Sequence, residues 1–296
     1  MKGAATQFMQ IITFAAIKGG VGKTTLTYNL GEWLAQKEHK KVLLIDADSQ
    51  SSLSQTYKFY YTKYSLADIF SQQESLTPSA FTTAPAKKTV TAEQVIKHTK
   101  TVDILPSALN LDQVLTQLPT RFDREFILYM WFEDNYDYLK QYDYILIDCH
   151  PDFSIITQNA IIISDLVFSP IEPSQYSLNA KNILSDRFNV LKENLVDPKT
   201  IRGQRESYVK AQLYFIGNRI NDKYKISQEF ITEIKKDPRT VALIPEQEIV
   251  KESTLFANPV VAMTNLDADQ QKFQIELLKT FADLIKLCHS NKKRAK

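Results

Sequence analysis

Lysines at 18 and 23, glycines at 19, 20 and 22, and threonines at 24 and 25 form one unbroken stretch, Lys18-Gly19-Gly20-Val21-Gly22-Lys23-Thr24-Thr25. These residue types hold polyphosphate. Glycines let the backbone take φ values closed to other residues, so successive N–H groups turn inward as an anion nest. Lys23 is expected to reach the β- and γ-phosphates, and the Thr24 hydroxyl to ligate Mg²⁺. Two further stretches supply acids. Lys41-Val42-Leu43-Leu44-Ile45 runs into Asp46-Ala47-Asp48-Ser49-Gln50-Ser51, and Tyr142-Asp143-Tyr144-Ile145-Leu146-Ile147 runs into Asp148. An aspartate ending an apolar strand, in company with a phosphate loop, has the pattern of a Walker B motif, in which the acid holds Mg²⁺ through water and Thr24 ligates it directly.

The chemistry requires elements that aim it. Ile11 to Ile17 is an apolar, β-branched run that empties into the glycines, and Leu26, Leu30, Trp33 and Leu34 follow at helical spacing, so the loop joins a buried strand to a helix. With the strand at 41–46 this makes a right-handed parallel unit, whose acids fall at the carboxyl edge of the sheet, where ligands bind in such folds. Further along, a short helix is expected over Leu66–Phe70 and a strand over Val102–Leu105. Helices follow around Leu109–Leu118 and Arg124–Leu139, then a strand at Ser164–Pro170, a helix at Tyr176–Leu191 and a strand at Lys210–Ile216. A last helix from Gln270 to Leu287 carries a broad apolar face. The fold class is α/β, a doubly wound, mostly parallel sheet flanked by helices.

The loop departs from the standard phosphate-loop pattern by carrying Ile17 where glycine is usual and a second lysine, Lys18, at its head. In this it resembles the deviant Walker A loop of the ParA/Min ATPases. That resemblance implies ATP and Mg²⁺ as ligands and a nucleotide-sandwich homodimer in which Lys18 reaches the partner's nucleotide. It implies that Gly19, Gly20, Val21, Gly22, Lys23, Thr24 and Thr25 cradle the phosphates and that Asp48 orients the attacking water. Asp46 and Asp148, with Thr24, would serve the metal. The family's Asp-x-Asp-Pro-Gln-Gly is matched except that Ser49 and Ser51 replace its proline and glycine. Asn218 is expected to hydrogen-bond the adenine edge, and the turn at Ile244-Pro245-Glu246 to wall the base through Pro245. Asp148-Cys149-His150-Pro151-Asp152 resembles the family's Asp-Cys-Pro-Pro-Ser with His150 and Asp152 substituted. A catalytic His150 and a His150 in a dimer-facing loop both fit that position, and Cys149 reads as a packed thiol.

At 296 residues with 44% hydrophobic composition, one P-loop domain spanning 1–296 accounts for the chain. Residues 55–100 match the family poorly, opening on the tyrosine-rich Tyr57–Tyr64 and continuing through a Ser/Thr/Pro/Ala-rich loop of unusual length, suited to a lid or partner site. Net charge is +2, but 17 Lys+Arg face 12 Asp+Glu from residue 201 onward, against 19 and 22 before it. The back half is therefore the side expected to meet a polyanion. Two cysteines suit a reducing compartment, and nothing approaches the length of a membrane span, so the expected location is cytoplasmic.

The family likeness is to the small partition ATPases that lack an N-terminal DNA-reading module. It implies plasmid or chromosome segregation at the nucleoid. The ATP dimer would bind DNA without sequence preference, and a centromere-binding, ParB-like partner would stimulate slow hydrolysis. Glu246 and Ile249 stand where some partition ATPases carry DNA-contacting arginines. The DNA surface is therefore expected among Arg219, Lys223, Lys225, Lys235, Lys236 and Lys251 as a group, with the basic tail at 291–296 adding charge. A Min-like positioning ATPase that binds membrane through its last helix is the alternative, although no membrane partner is expected.

Overall fold

A computed structural model of the chain describes residues 9–71, 90–116, 118, 123–196 and 206–292. The central strands are buried along their whole length, which is what a parallel sheet covered on both faces demands. Chain order is β1 (Gln10–Phe14), α1 (Lys23–Gln36), β2 (Val42–Ala47), α2 (Ser52–Thr56), α3 (Leu66–Ser71), α4 (Ala92–Val95), β3 (Lys97–His98), β4 (Asp103–Leu105), α5 (Leu111–Thr116), α6 (Ile127–Asp134) and α7 (Tyr136–Leu139). There follow β5 (Tyr144–Cys149), α8 (Ile155–Ile163), β6 (Leu166–Ile171), α9 (Gln175–Asn194), β7 (Gln212–Ile220), α10 (Lys225–Ile234), β8 (Thr240–Pro245), α11 (Glu248–Leu255) and α12 (Ala268–Lys292). The eight strands lie in the order β3-β4-β2-β5-β1-β6-β7-β8, parallel throughout except for the short antiparallel edge β3.

Alternation along each strand sends neighbours to opposite faces. Ile12, Phe14, Leu44 and Leu146 pack with Leu26, Leu30 and Trp33 of α1 and with Phe273, Leu277 and Phe281 of α12. Ile11, Leu43, Ile45, Ile145 and Ile147 face the other layer, with Phe70, Leu128, Trp131, Ile161 and Phe188. The apolar face of α12 is thus consumed in packing, its Phe281 ring 6.0 Å from that of Trp33. No helix among the described residues is long and apolar enough to cross a membrane.

Two expectations need correction. The helix over Arg124–Leu139 is interrupted: a 3₁₀ turn at Arg124–Phe126 precedes α6, and Asn135 separates α6 from α7. At the break Asn135 leaves helical geometry, at φ −112° and ψ 14°, and its side chain ties the end of α6 to the start of α4: Nδ2 donates to the Trp131 carbonyl at 2.9 Å and Oδ1 accepts from the Ala92 N–H at 2.8 Å. The strand expected to stop at Ile216 continues through Asn218 and Arg219 to Ile220, with an irregular register against β8 and Arg219 at φ +55°. Within 55–100, the helix expected at Leu66–Phe70 is α3. Tyr57 is anchored by its hydroxyl on Glu32 at 2.6 Å and packs edge-on to Tyr28, whereas Tyr60 and Tyr61 are exposed. The Ser/Thr/Pro/Ala-rich part, 72–89, and the tail at 293–296 lie outside the described residues.

Candidate functional site

The phosphate loop, the motif acids, Lys18, His150 and Asn218 collect at the carboxyl ends of β1, β2, β5, β6 and β7. Beyond β1 the loop turns sharply: Gly20 and Gly22 sit at φ +76° and +97°, the left-handed region that glycine enters at no steric cost. Gly22 has a second reason to be glycine, because a Cβ there would collide with the Asn218 amide nitrogen. That amide donates to the Val21 carbonyl at 2.8 Å, so Asn218 pins the loop to β7. Gly22 caps α1, whose 14 residues start at the buried Lys23. The free N–H groups and positive end of α1 therefore meet at the loop.

The register of β2 against β5 sets Asp46 directly beside Asp148. Both are fully buried, and the mutual repulsion of two carboxylates in a dry site adds to the cost of burial. Burial first, then Asp46, pushes Asp148 up to about 8, opposed by Lys23 and the Thr24 hydroxyl. Neither Asp148 oxygen makes a hydrogen bond of ordinary geometry among the described residues. Asp46 is spent differently. Its Oδ2 accepts both the N–H and the hydroxyl of Ser54 at 2.7 Å, its Oδ1 accepts the Asp48 N–H at 3.2 Å, and burial pushes it up to about 6. Ser54 in turn accepts the Ser107 N–H at 3.0 Å. Asp46 thus knits the surrounding loops together, and Asp148 is the acid with open oxygens.

Asp48 is nearly buried and accepts the Gln50 N–H on Oδ1 at 2.8 Å. Facing that oxygen at 4.0 Å is Nε2 of His150. The imidazole is held from behind: Nδ1 lies 3.1 Å from Asp152 Oδ2, and Asp152 Oδ1 accepts the Ser154 N–H at 3.0 Å and the Thr157 hydroxyl at 3.1 Å. Next along, Pro151 stands beside the phosphate loop, its ring 3.6 Å from where a Cβ on Gly19 would lie. Cys149 is buried and its thiol is pushed well up by burial, so it packs rather than reacts.

Lys18 lies at the head of the loop with its ammonium paired to Glu172, just past Pro170 at the end of β6, and 3.5 Å from the Ser174 hydroxyl. Arg219 approaches the other Glu172 oxygen at 3.6 Å. Glu172 and Ser54 are site residues that sequence motifs pass over. A signal for Glu172 does exist, since it ends a strand on the same edge as Asp46 and Asp148. Ser54 has none, lying eight residues beyond its acid.

Asn218, Arg219, Pro245 and Lys251 line one small recess beside Gly22 and Thr25. The six basic residues grouped from the sequence are not one patch. Arg219, Lys223, Lys225 and Lys251 lie toward the carboxyl edge of the sheet, whereas α10 runs back across its face and leaves Lys235 and Lys236 at the opposite edge. Four carry acidic neighbours: Arg219 with Glu172, Lys225 with Glu229 at 3.5 Å, Lys236 with Glu233 at 2.6 Å, and Lys251 with Glu246 at 3.0 Å.

The chain is similar to known proteins in sequence and in fold. Residues 9–200 match the family described as AAA domain. An uncharacterised protein of Methanocaldococcus jannaschii is 30% identical over 256 residues, covering 85% of this chain and 90% of that protein. The chromosome partitioning protein ParA of Myxococcus xanthus is 24% identical over 256 residues, covering 85% of this chain and 81% of that one. Among solved structures, an ATP complex of McdA from Cyanothece superposes with a TM-score of 0.73 at 19% identity, covering 93% of this chain and 97% of McdA, which is a likeness of fold.

Proposed function

The chain belongs to the AAA domain family, among its ParA-type P-loop ATPases, and from that premise we propose that it hydrolyses ATP to segregate DNA, plasmid or chromosomal. The observation that carries this reading is Asp148: a buried carboxylate with open oxygens, beside Lys23 and Thr24, beneath a loop held open by two left-handed glycines. Such an acid fits a hard cation better than it fits a protein core. Among the described residues no three acid, histidine or cysteine side chains stand close enough to hold a metal by themselves. The arrangement therefore suits Mg²⁺ arriving with phosphate oxygens, with Thr24 as direct ligand, Asp148 acting through water and Asp46 behind. Bound there, Mg²⁺ would offset charge that develops on the transferred phosphoryl group.

In this reading the loop N–H groups and Lys23 bind the polyphosphate, as the ATP complex of McdA suggests by likeness of fold. Asp48 positions the water that attacks the γ-phosphorus. Lys18 acts across a homodimer, on the partner's nucleotide. The ATP dimer grips DNA by phosphate contacts without reading sequence, and a ParB-like centromere-binding protein speeds an otherwise slow hydrolysis, placing the protein on the nucleoid. Partitioning by the M. xanthus relative supports the cellular role. Binding to arbitrary DNA with ATP, with ADP and without nucleotide, run beside phosphate release, tests it. Binding with ATP alone is expected, and equal binding in all three conditions, or no phosphate release even with DNA and partner, would refute it.

A further inference from the structure

The paired environment of His150 carries a role that the phosphate loop and its acids leave open. His150 Nε2 and Asp48 Oδ1 are 4.0 Å apart. That is too long for a direct hydrogen bond, and it is near the ~4.4 Å that separates two acceptors receiving the two protons of one water at ordinary hydrogen-bond lengths. The imidazole is not free to turn. Asp152 accepts the Ser154 N–H and the Thr157 hydroxyl on one oxygen and turns the other to Nδ1 at 3.1 Å. A carboxylate can only accept, so Nδ1 is the nitrogen that donates to Asp152, and in the neutral ring this leaves the Nε2 lone pair turned toward Asp48. The turn that holds this pair is next to the phosphate loop: a Cβ added at Gly19 would come within 3.6 Å of the Pro151 ring.

We propose that His150 and Asp48 together hold the attacking water, each accepting one of its O–H groups, while Asp152 fixes the imidazole tautomer that makes this possible. Held by both hydrogens, the water keeps its lone pairs free for phosphorus. Its oxygen forms the new bond to the γ-phosphorus and the bond from phosphorus to the β–γ bridging oxygen breaks, leaving that electron pair on ADP. The water's surplus proton passes through Asp48 to phosphate or solvent. His150 is thus a further catalytic residue, touching the reacting water, and Asp152 is a positioning residue acting through it. The inference rests on the ATPase reading above.

The test combines single-turnover hydrolysis, nucleotide affinity and the ¹⁵N spectrum of the imidazole in nucleotide-free protein, with the His150 signal among the four histidines identified by its loss in His150→Gln. In the parent, Nδ1 should be the protonated nitrogen. His150→Ala should lower the turnover rate about tenfold, as one of two acceptors where a full proton-transfer group contributes about a hundredfold or more, with nucleotide affinity unchanged. His150→Gln, whose amide oxygen still accepts, should recover much of that loss. Asp152→Asn presents an N–H to Nδ1, reverses the tautomer and should slow turnover as His150→Ala does, although the ring remains.

An imidazolium or an Nε2–H tautomer in the parent would overturn the proposal. So would an unchanged rate in His150→Ala, or a loss of affinity matching its loss of rate. A parent that releases no phosphate even with DNA and partner would instead remove the ATPase reading, and the water cradle with it. A parent that hydrolyses while His150→Ala matches it removes the cradle alone.

Discussion

At Asp148 the chain buries a carboxyl beside a second acid and gives its oxygens no hydrogen-bond partner of ordinary geometry among the described residues. Its pKa, pushed up to about 8, means that the nucleotide-free folded state keeps a proton the unfolded chain gives up near pH 4. Stability from this group is therefore complete at low pH and is lost as pH rises through about 8, at up to about 1.4 kcal/mol per unit. Asp148→Asn should raise the melting temperature of nucleotide-free protein at pH 8 and flatten its decline between pH 5 and 8, while abolishing stabilisation by Mg²⁺ and ATP. A variant with the parental pH slope would remove the argument. The residue types of the site were legible because motif chemistry fixes them at known offsets from one loop. Their division of labour was not. That Asp46 is occupied by Ser54, whereas Asp148 is left open, depends on a contact eight residues along the chain that no spacing announces.

Among the elements, the loop between β1 and α1 depends on its neighbours at two points. Gly22→Ala would have to place a Cβ at φ +97° against the Asn218 amide that pins Val21. It should fold, because the sheet is untouched, yet lose nucleotide binding, and isothermal titration would show this directly. The other point is Lys18, held by Glu172 at the end of β6 while Arg219 waits on the same carboxylate. If Lys18 is to reach a partner's nucleotide it must first leave Glu172. The pair is only partly buried, so its net worth is on the order of 1 kcal/mol or less. Glu172→Gln should then lower the ATP concentration for dimerisation by up to about fivefold in sedimentation measurements. An unchanged midpoint would mean that Glu172 does not restrain Lys18. The central strands were readable because burial on both faces leaves continuous apolar runs. The end of β6 was read to within one residue, through Pro170, although proline should not sit inside a strand. It is tolerated because β1 has already left the sheet there: their pairing ends at Phe14 with Phe168, so β6 is locally an edge. By contrast, α8 is apolar nearly all round and carries no amphipathic period by which to find it.

Over the whole molecule, the question left by the sequence is where a polyanion would lie, and topology narrows it. Among the described residues after 201, the six grouped basic residues are divided between the two edges of the sheet, with acids beside four of them. The basic residues on the face where nucleotide binds are the ones ATP can reach most directly, since a ligand shifts DNA affinity only through what it alters. Lys223 and Lys225 lie toward that face, and Lys251 lines the recess beside Gly22 and Thr25. Lys235 and Lys236, at the far end of α10, lie at the other edge. Neutralising Lys223 and Lys225 together should therefore weaken ATP-dependent DNA binding and reduce its dependence on the logarithm of salt concentration by about two, one for each phosphate that no longer meets a lysine. The pair Lys235→Ala and Lys236→Ala should leave both quantities unchanged. Filter binding across a salt series reads the two variants side by side. Loss confined to the Lys235 and Lys236 variant would place the DNA on the opposite edge, detached from the nucleotide, and would break the link between ATP and DNA on which the partition reading depends.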